Sequence, residues 1–91
     1  MIVVLGLGNP GHSFAKSRHN VGFRCIDALA RRHGIRLEER RRHVVLGHGD
    51  MGGVPVILAK PRTYMNRSGI AARYLLDRFH VDLEDLLVVY D

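Results

Sequence analysis

Met1-Ile2-Val3-Val4-Leu5-Gly6-Leu7-Gly8-Asn9-Pro10-Gly11 opens the chain, and its reading decides the fold. Met1 to Leu7 is a β-branched and leucine run, as expected of a buried strand. It stops at three glycines and a proline, which force a turn. A strand that ends in a glycine-rich loop delivers the next side chains to the carboxyl edge of a sheet. In open α/β sheets, ligands bind at that edge. Asn9 sits in the turn. His19, in Arg18-His19-Asn20, follows after a loop long enough to fold back beside it.

Working outward, Asn20 to His33 reads as a helix. Val21, Cys25, Ile26, Leu29 and Ala30 line its apolar face, and Arg24, Asp27, Arg31 and Arg32 take the other. Asn20 suits the N-cap, and Gly34 stops the helix after basic residues in its last turn. An arginine run follows as a connection. His43 to His48 and Val54 to Lys60 read as two strands, antiparallel through a turn at Asp50-Met51-Gly52-Gly53. Pro61 ends the second of them, and Arg62 to Asn66 is a loop. Arg67 to His80 reads as a helix with Ile70, Ala71, Tyr74, Leu75 and Phe79 on its apolar stripe. After a polar turn at Asp82 to Asp85, Leu86 to Tyr90 has the composition of a buried strand, and Asp91 follows. The order β-α-β-β-α-β implies an α/β fold, a mixed sheet flanked by helices, in a single domain over residues 1–91.

Of the 91 residues, 46% are hydrophobic and 25% charged, as in ordinary globular domains. No apolar run has membrane-spanning length, and the first apolar segment lacks the basic leader of a signal peptide. One cysteine, Cys25, forms no internal disulfide, which points to a reducing, cytoplasmic setting. On its helix's apolar face it reads as a core thiol. The net charge is +5, and arginine supplies 12 of the 14 basic residues. Arg31, Arg32, Arg36 and Arg40-Arg41-Arg42 cluster, and guanidinium groups fork well onto phosphate oxygens. Nucleic acid is the natural polyanionic partner; the competing reading is a solvated, arginine-rich surface.

Gly6, Gly8 and Gly11 satisfy G-x-G-x-x-G after a strand, the dinucleotide-binding pattern. Two features tell against it. Pro10 and a loop through Arg18 separate the third glycine from the helix, and Asp27, near the spacing of a ribose-binding acid, lies mid-helix. Ser13, Ser17 and Ser68 lack a G-x-S-x-G elbow, so a serine hydrolase is disfavoured. The six histidines show no ligand spacing; His43 and His48, five apart on a strand, face opposite sides. No metal and no cofactor are expected. His19 suits a general base near neutral pH, and such a base wants an orienting carboxylate. Asp91 ends its strand as Asn9 ends the first. If those strands are parallel neighbours, Asn9, His19 and Asp91 converge. Plainer readings stay open: a loop histidine bonded to backbone, a solvated terminal carboxylate, and, for Asn66, a helix N-cap.

Four segments together carry a resemblance: Gly6-Leu7-Gly8-Asn9-Pro10-Gly11, Arg18-His19-Asn20-Val21-Gly22, Lys60-Pro61-Arg62-Thr63-Tyr64-Met65-Asn66-Arg67-Ser68-Gly69 and Val88-Val89-Tyr90-Asp91. In order and spacing the chain resembles bacterial peptidyl-tRNA hydrolase along its whole length. The resemblance implies hydrolysis of the ester between a peptide and the 3′ ribose of tRNA, in the cytoplasm and by a monomer. It implies His19 as the base that activates water and Asp91 as the group that orients its imidazole. Asn9 would distinguish blocked from free aminoacyl groups, and Asn66 would hold the substrate near the ester. Phe14 and Tyr64 match positions that contact the tRNA 3′ end or the peptide. Phe14 stands where the family carries tyrosine, so stacking survives without a hydroxyl contact. Family members are longer, so residues 1–91 are expected to be the amino-terminal portion of such a domain. The alternative is a non-catalytic RNA-binding fragment with an incomplete site.

Overall fold

The computed structural model describes residues 1–8, 21–62 and 68–90. Strand β1 (Ile2–Gly6) is followed by helix α1 (Val21–His33), a two-residue strand β2 (Glu39–Arg40), β3 (Val44–Met51), β4 (Val54–Pro61), helix α2 (Ser68–Phe79), a 3-10 turn (Leu83–Asp85) and β5 (Leu86–Val89). The sheet order is β2-β3-β4-β1-β5. β1 runs parallel to both neighbours, with Val3 opposite Ile57 of β4 and Leu86 of β5. β3 is antiparallel to β2 and β4, so the sheet is mixed.

Side-chain alternation along β1 splits the core between two faces. Val3 and Leu5 join Val44, Leu46, Ile57 and Ala59 under Ala71 and Leu75 of α2. Val4 joins Val56 and Leu58 beneath Ile26 and Ala30 of α1, with Ile35 beside them. One helix therefore covers each face, in three layers. β1 is apolar throughout because both of its faces are covered. Each fully buried leucine or isoleucine contributes about 1.5–3 kcal/mol through removal from water.

Both helix ends use left-handed backbone. Gly34 has φ 65° after α1, and Ile35 N–H donates to the Ala30 carbonyl at 2.9 Å. After α2 the same role falls to His80, at φ 54°. The hairpin is tighter than its sequence suggests. β3 and β4 stay paired to Met51 and Val54, leaving only Gly52 and Gly53, both with positive φ, as the loop. Gly53 N–H donates to Asp50 Oδ1 at 2.7 Å.

Several expectations shift. The arginine run is not only a connection: Glu39–Arg40 add an edge strand, and charge on an edge discourages further pairing. Cys25 is half-buried rather than a core thiol, because the buried stripe of α1 runs through Gly22, Ile26 and Ala30. Val21 and Ile70, expected on apolar faces, are exposed. His43 precedes β3, so the strand argument for its direction does not apply. β5 is not a buried strand. It has one neighbour, and Leu87 is 59% exposed.

Glu39 ties the edge to the far helix. Its carboxylate accepts hydrogen bonds from Arg78 of α2 and from Arg41 at 2.9 Å, with His48 at 3.3 Å. Arg78 also donates to Tyr74 Oη at 3.1 Å and stacks 4.7 Å from the Phe79 ring centroid. The Arg78 hydrogen bond chiefly holds the Glu39 carboxyl down at about 2, against the opposing push of burial; Arg41, His48 and the Arg78 charge add to it. A depressed carboxyl contributes stability above its unfolded value near 4.5 that is lost as pH falls towards 2. Glu39→Gln should therefore cost about 1–2 kcal/mol at pH 7. It should also flatten the acid limb of stability between those two pH values. Urea unfolding of both chains across this window checks the sign; parallel curves would contradict it.

Candidate active site

The carboxyl ends of β1, β4 and β5 share one edge, because the three strands are parallel. The chain leaves β1 for α1 on one face and leaves β4 for α2 on the other. Adjacent parallel strands whose connections part to opposite faces open a crevice at their carboxyl ends, the usual ligand position in open α/β sheets.

Gly6 and Gly22 bring α1 hard against this edge. A Cβ on Gly22 would lie 2.3 Å from the Leu7 carbonyl oxygen and 2.4 Å from that of Val89. One on Gly6 would lie 2.3 Å from the Gly22 carbonyl oxygen. Gly6 is thus still in the strand, and it is glycine for close approach rather than for a turn. β1 and β5 are joined beneath the helix by the Leu7 N–H, which donates to the Val89 carbonyl at 2.8 Å.

The last row of the sheet carries charge. Arg40 of β2 faces Val45 of β3, and Val45 faces Lys60 of β4. Lys60 Nζ lies 2.8 Å from Asp27 Oδ1 and 5.5 Å from the Phe23 ring centroid, both on α1. This partly exposed ion pair is worth up to about 1 kcal/mol. Arg62 is pinned just beyond: its backbone N–H donates to the His43 carbonyl at 2.8 Å and its guanidinium to the Arg41 carbonyl at 2.9 Å. Phe23, Arg40, Val45, Lys60, Pro61 and Arg62 line an open cavity of about 440 Å³.

Asn9, Phe14, His19, Tyr64, Asn66 and Asp91 lie outside the described residues. The described chain ends on either side of them are informative. Gly8 precedes Asn9, Val21 begins α1 two positions after His19, Ser68 begins α2 two after Asn66, and Tyr90 precedes Asp91. The first and last strands are parallel neighbours.

The model of the peptidyl-tRNA hydrolase family matches residues 3–91. The chain belongs to the peptidyl-tRNA hydrolase family. It is 50% identical over 91 residues to the peptidyl-tRNA hydrolase of an Exiguobacterium species and 52% identical to that of Exiguobacterium sibiricum, covering all of this chain and 49% of each relative. The crystal structure of peptidyl-tRNA hydrolase from Acinetobacter baumannii superposes with a TM-score of 0.94 at 37% identity, over 100% of this chain and 47% of that one. The chain thus spans about half the length of the peptidyl-tRNA hydrolases it matches.

Sequence reasoning missed two features of this family member's carboxyl edge and one at the opposite end of β5. The Gly6–Gly22 contact joins a strand to a helix, and only the glycine at both positions hinted at it. The Lys60–Asp27 pair spans 33 positions. Asp82, Glu84 and Asp85, read as a polar turn, place one carboxylate oxygen each within 4.8 Å of one another. Among the described residues no helix is long and apolar enough to cross a membrane.

Proposed function

We propose that the chain hydrolyses the ester joining a peptide to the 3′ ribose of tRNA, with the reacting groups gathered at the carboxyl edge of β1, β4 and β5. The observation that carries this reading is the parallel pairing of β1 with β5 under the first turn of α1. The three segments bearing Asn9, His19 and Asp91 all meet those elements. His19 takes a proton from water as the water oxygen attacks the ester carbonyl. The tetrahedral intermediate collapses as the His19 imidazolium returns its proton to the departing ribose 3′-oxygen, and the peptide acid so formed loses its own proton to solvent. Asp91 orients the imidazole and stabilises its protonated form. Asn9 and Asn66 hold the acyl group by their amides, and Phe14 and Tyr64 pack against the tRNA 3′ end or the peptide. An ester of this kind needs a base and a positioned water, with no covalent intermediate.

In this reading the protein works as a cytoplasmic monomer on peptidyl-tRNA, without a membrane partner. Residues 1–91 are the amino-terminal portion of a longer domain, in accord with the half-length match to its relatives. Incubation with N-acetylaminoacyl-tRNA tests the reading. Release of the acyl group that disappears on replacing His19 supports it. Tight tRNA binding with no release would instead favour a non-catalytic RNA-binding role.

A further inference from the structure

We infer that the cavity between α1 and the last row of the sheet is a phosphate subsite, taking one phosphodiester of the RNA backbone beside the acyl-bearing end. The inference deepens the proposed function and rests on it for the identity of the RNA.

Three cations converge there, Arg40 from β2 and Lys60 and Arg62 from the end of β4. Arg40, Val45 and Lys60 are direct cross-strand partners, so their side chains leave the same face of the sheet. The outer two strands are two ladder spacings apart, about 10 Å, a gap that arginine and lysine side chains can close around a single phosphate. Arg62 enters from the end of β4 and is aimed by its bond to the Arg41 carbonyl. That acceptor is neutral, so no described residue compensates the Arg62 charge. No carboxylate among the described residues pairs with Arg40 or Arg62. Among the described residues Asp27 meets only Lys60, leaving two guanidinium groups without a carboxylate at the cavity.

The walls suit an anion. Phe23 and Pro61 give an apolar side that lowers the local dielectric, while Arg40 and Arg62 are exposed and reach solvent. The α1 helix carries no acidic residue in its first turn, so its positive end adds to the field. By contrast, Arg73 on α2 is already paired with Asp77 at 3.2 Å on the opposite face. The arginines are therefore not equivalent. Unlike Arg73, Arg40 and Arg62 meet no carboxylate among the described residues, and they stand at the edge where the ester is proposed to sit.

Binding of deacylated tRNA, followed by fluorescence anisotropy from 50 to 200 mM salt, tests this. Arg40→Gln with Arg62→Gln should weaken binding about tenfold at 100 mM salt and lower the slope of log affinity against log salt by about 1–2. Arg73→Gln should change affinity less than about twofold. An unchanged unfolding midpoint shows that the double variant is folded. Inorganic phosphate at equal ionic strength should compete with tRNA in the unaltered chain and lose that effect in the double variant. Equal losses in both variants, unchanged binding in the double variant, or no tRNA binding by the unaltered chain would overturn the subsite. Deacylated tRNA carries no ester, so failure here is separate from failure of the hydrolytic reading, which shows as acyl release indifferent to His19.

Discussion

Gly22→Ala lowers the unfolding midpoint by about 8–16 °C, whereas the same change at Gly69 does not lower it. Two effects oppose each other. Alanine gains about 1 kcal/mol over glycine in a helix interior. The new Cβ at position 22, however, would stand 2.3–2.4 Å from three backbone atoms of Leu7 and Val89, which cannot rotate away as a side-chain tip could. Overpacking of that kind costs about 3 kcal/mol, so the net loss is about 2 kcal/mol. A domain this size moves by about 4–8 °C for each kcal/mol. At Gly69 nothing lies within 4 Å of the added atom, and only the helical gain remains. Thermal melts of both variants read the contrast; equal shifts would show that α1 does not seat on the edge as described. Because Gly22 also fixes where the chain enters α1 after His19-Asn20, Gly22→Ala should lose acyl release as well.

His19→Ala should reduce acyl release from N-acetylaminoacyl-tRNA by about 10²–10⁴-fold, the usual contribution of a positioned general base. At 1.36 kcal/mol per factor of ten, that is about 3–5 kcal/mol of transition-state stabilisation. Affinity for deacylated tRNA should change little, since the proposed role of His19 is on the ester and phosphate contacts dominate tRNA affinity. The split matters more than the size. A loss confined to release identifies a group acting on the reacting atoms. A parallel loss of binding would make His19 a substrate contact, and no loss of release would remove it from the chemistry.

The elements legible in the sequence were those whose pattern and packing agree. β1 is apolar at every position because each of its faces meets a helix, and the Gly52-Gly53 pair marks a two-residue hairpin because both positions need positive φ. The Ile26 and Ala30 spacing places α1, and Ala71 and Leu75 place α2, although the true stripes turn slightly from those expected. What failed was non-local. Leu86–Val89 has the residues of a buried strand, but burial depends on having neighbours on both sides, which composition does not encode. Glu39 and Arg78 sit 39 positions apart, and nothing near either one announces the other. Gly6 was legible as glycine but not for its reason, since a close approach needs both partners in view. Of the site, the sequence supplied residue types and order, and the fold supplied the shared edge that their flanking elements reach.

Hydrolysis as proposed requires that this carboxyl edge receive the acyl-bearing end of tRNA. Backbone amide shifts of the 91-residue chain, titrated with an uncleavable N-acetylaminoacyl amide of 3′-amino-adenosine, test it most directly. Perturbations should centre on Gly6, Leu7, Gly8, Val21 to Phe23, Lys60, Arg62, Val89 and Tyr90. Perturbations at the opposite edge instead, around Gly52, Gly53 and Leu83 to Asp85, would contradict it.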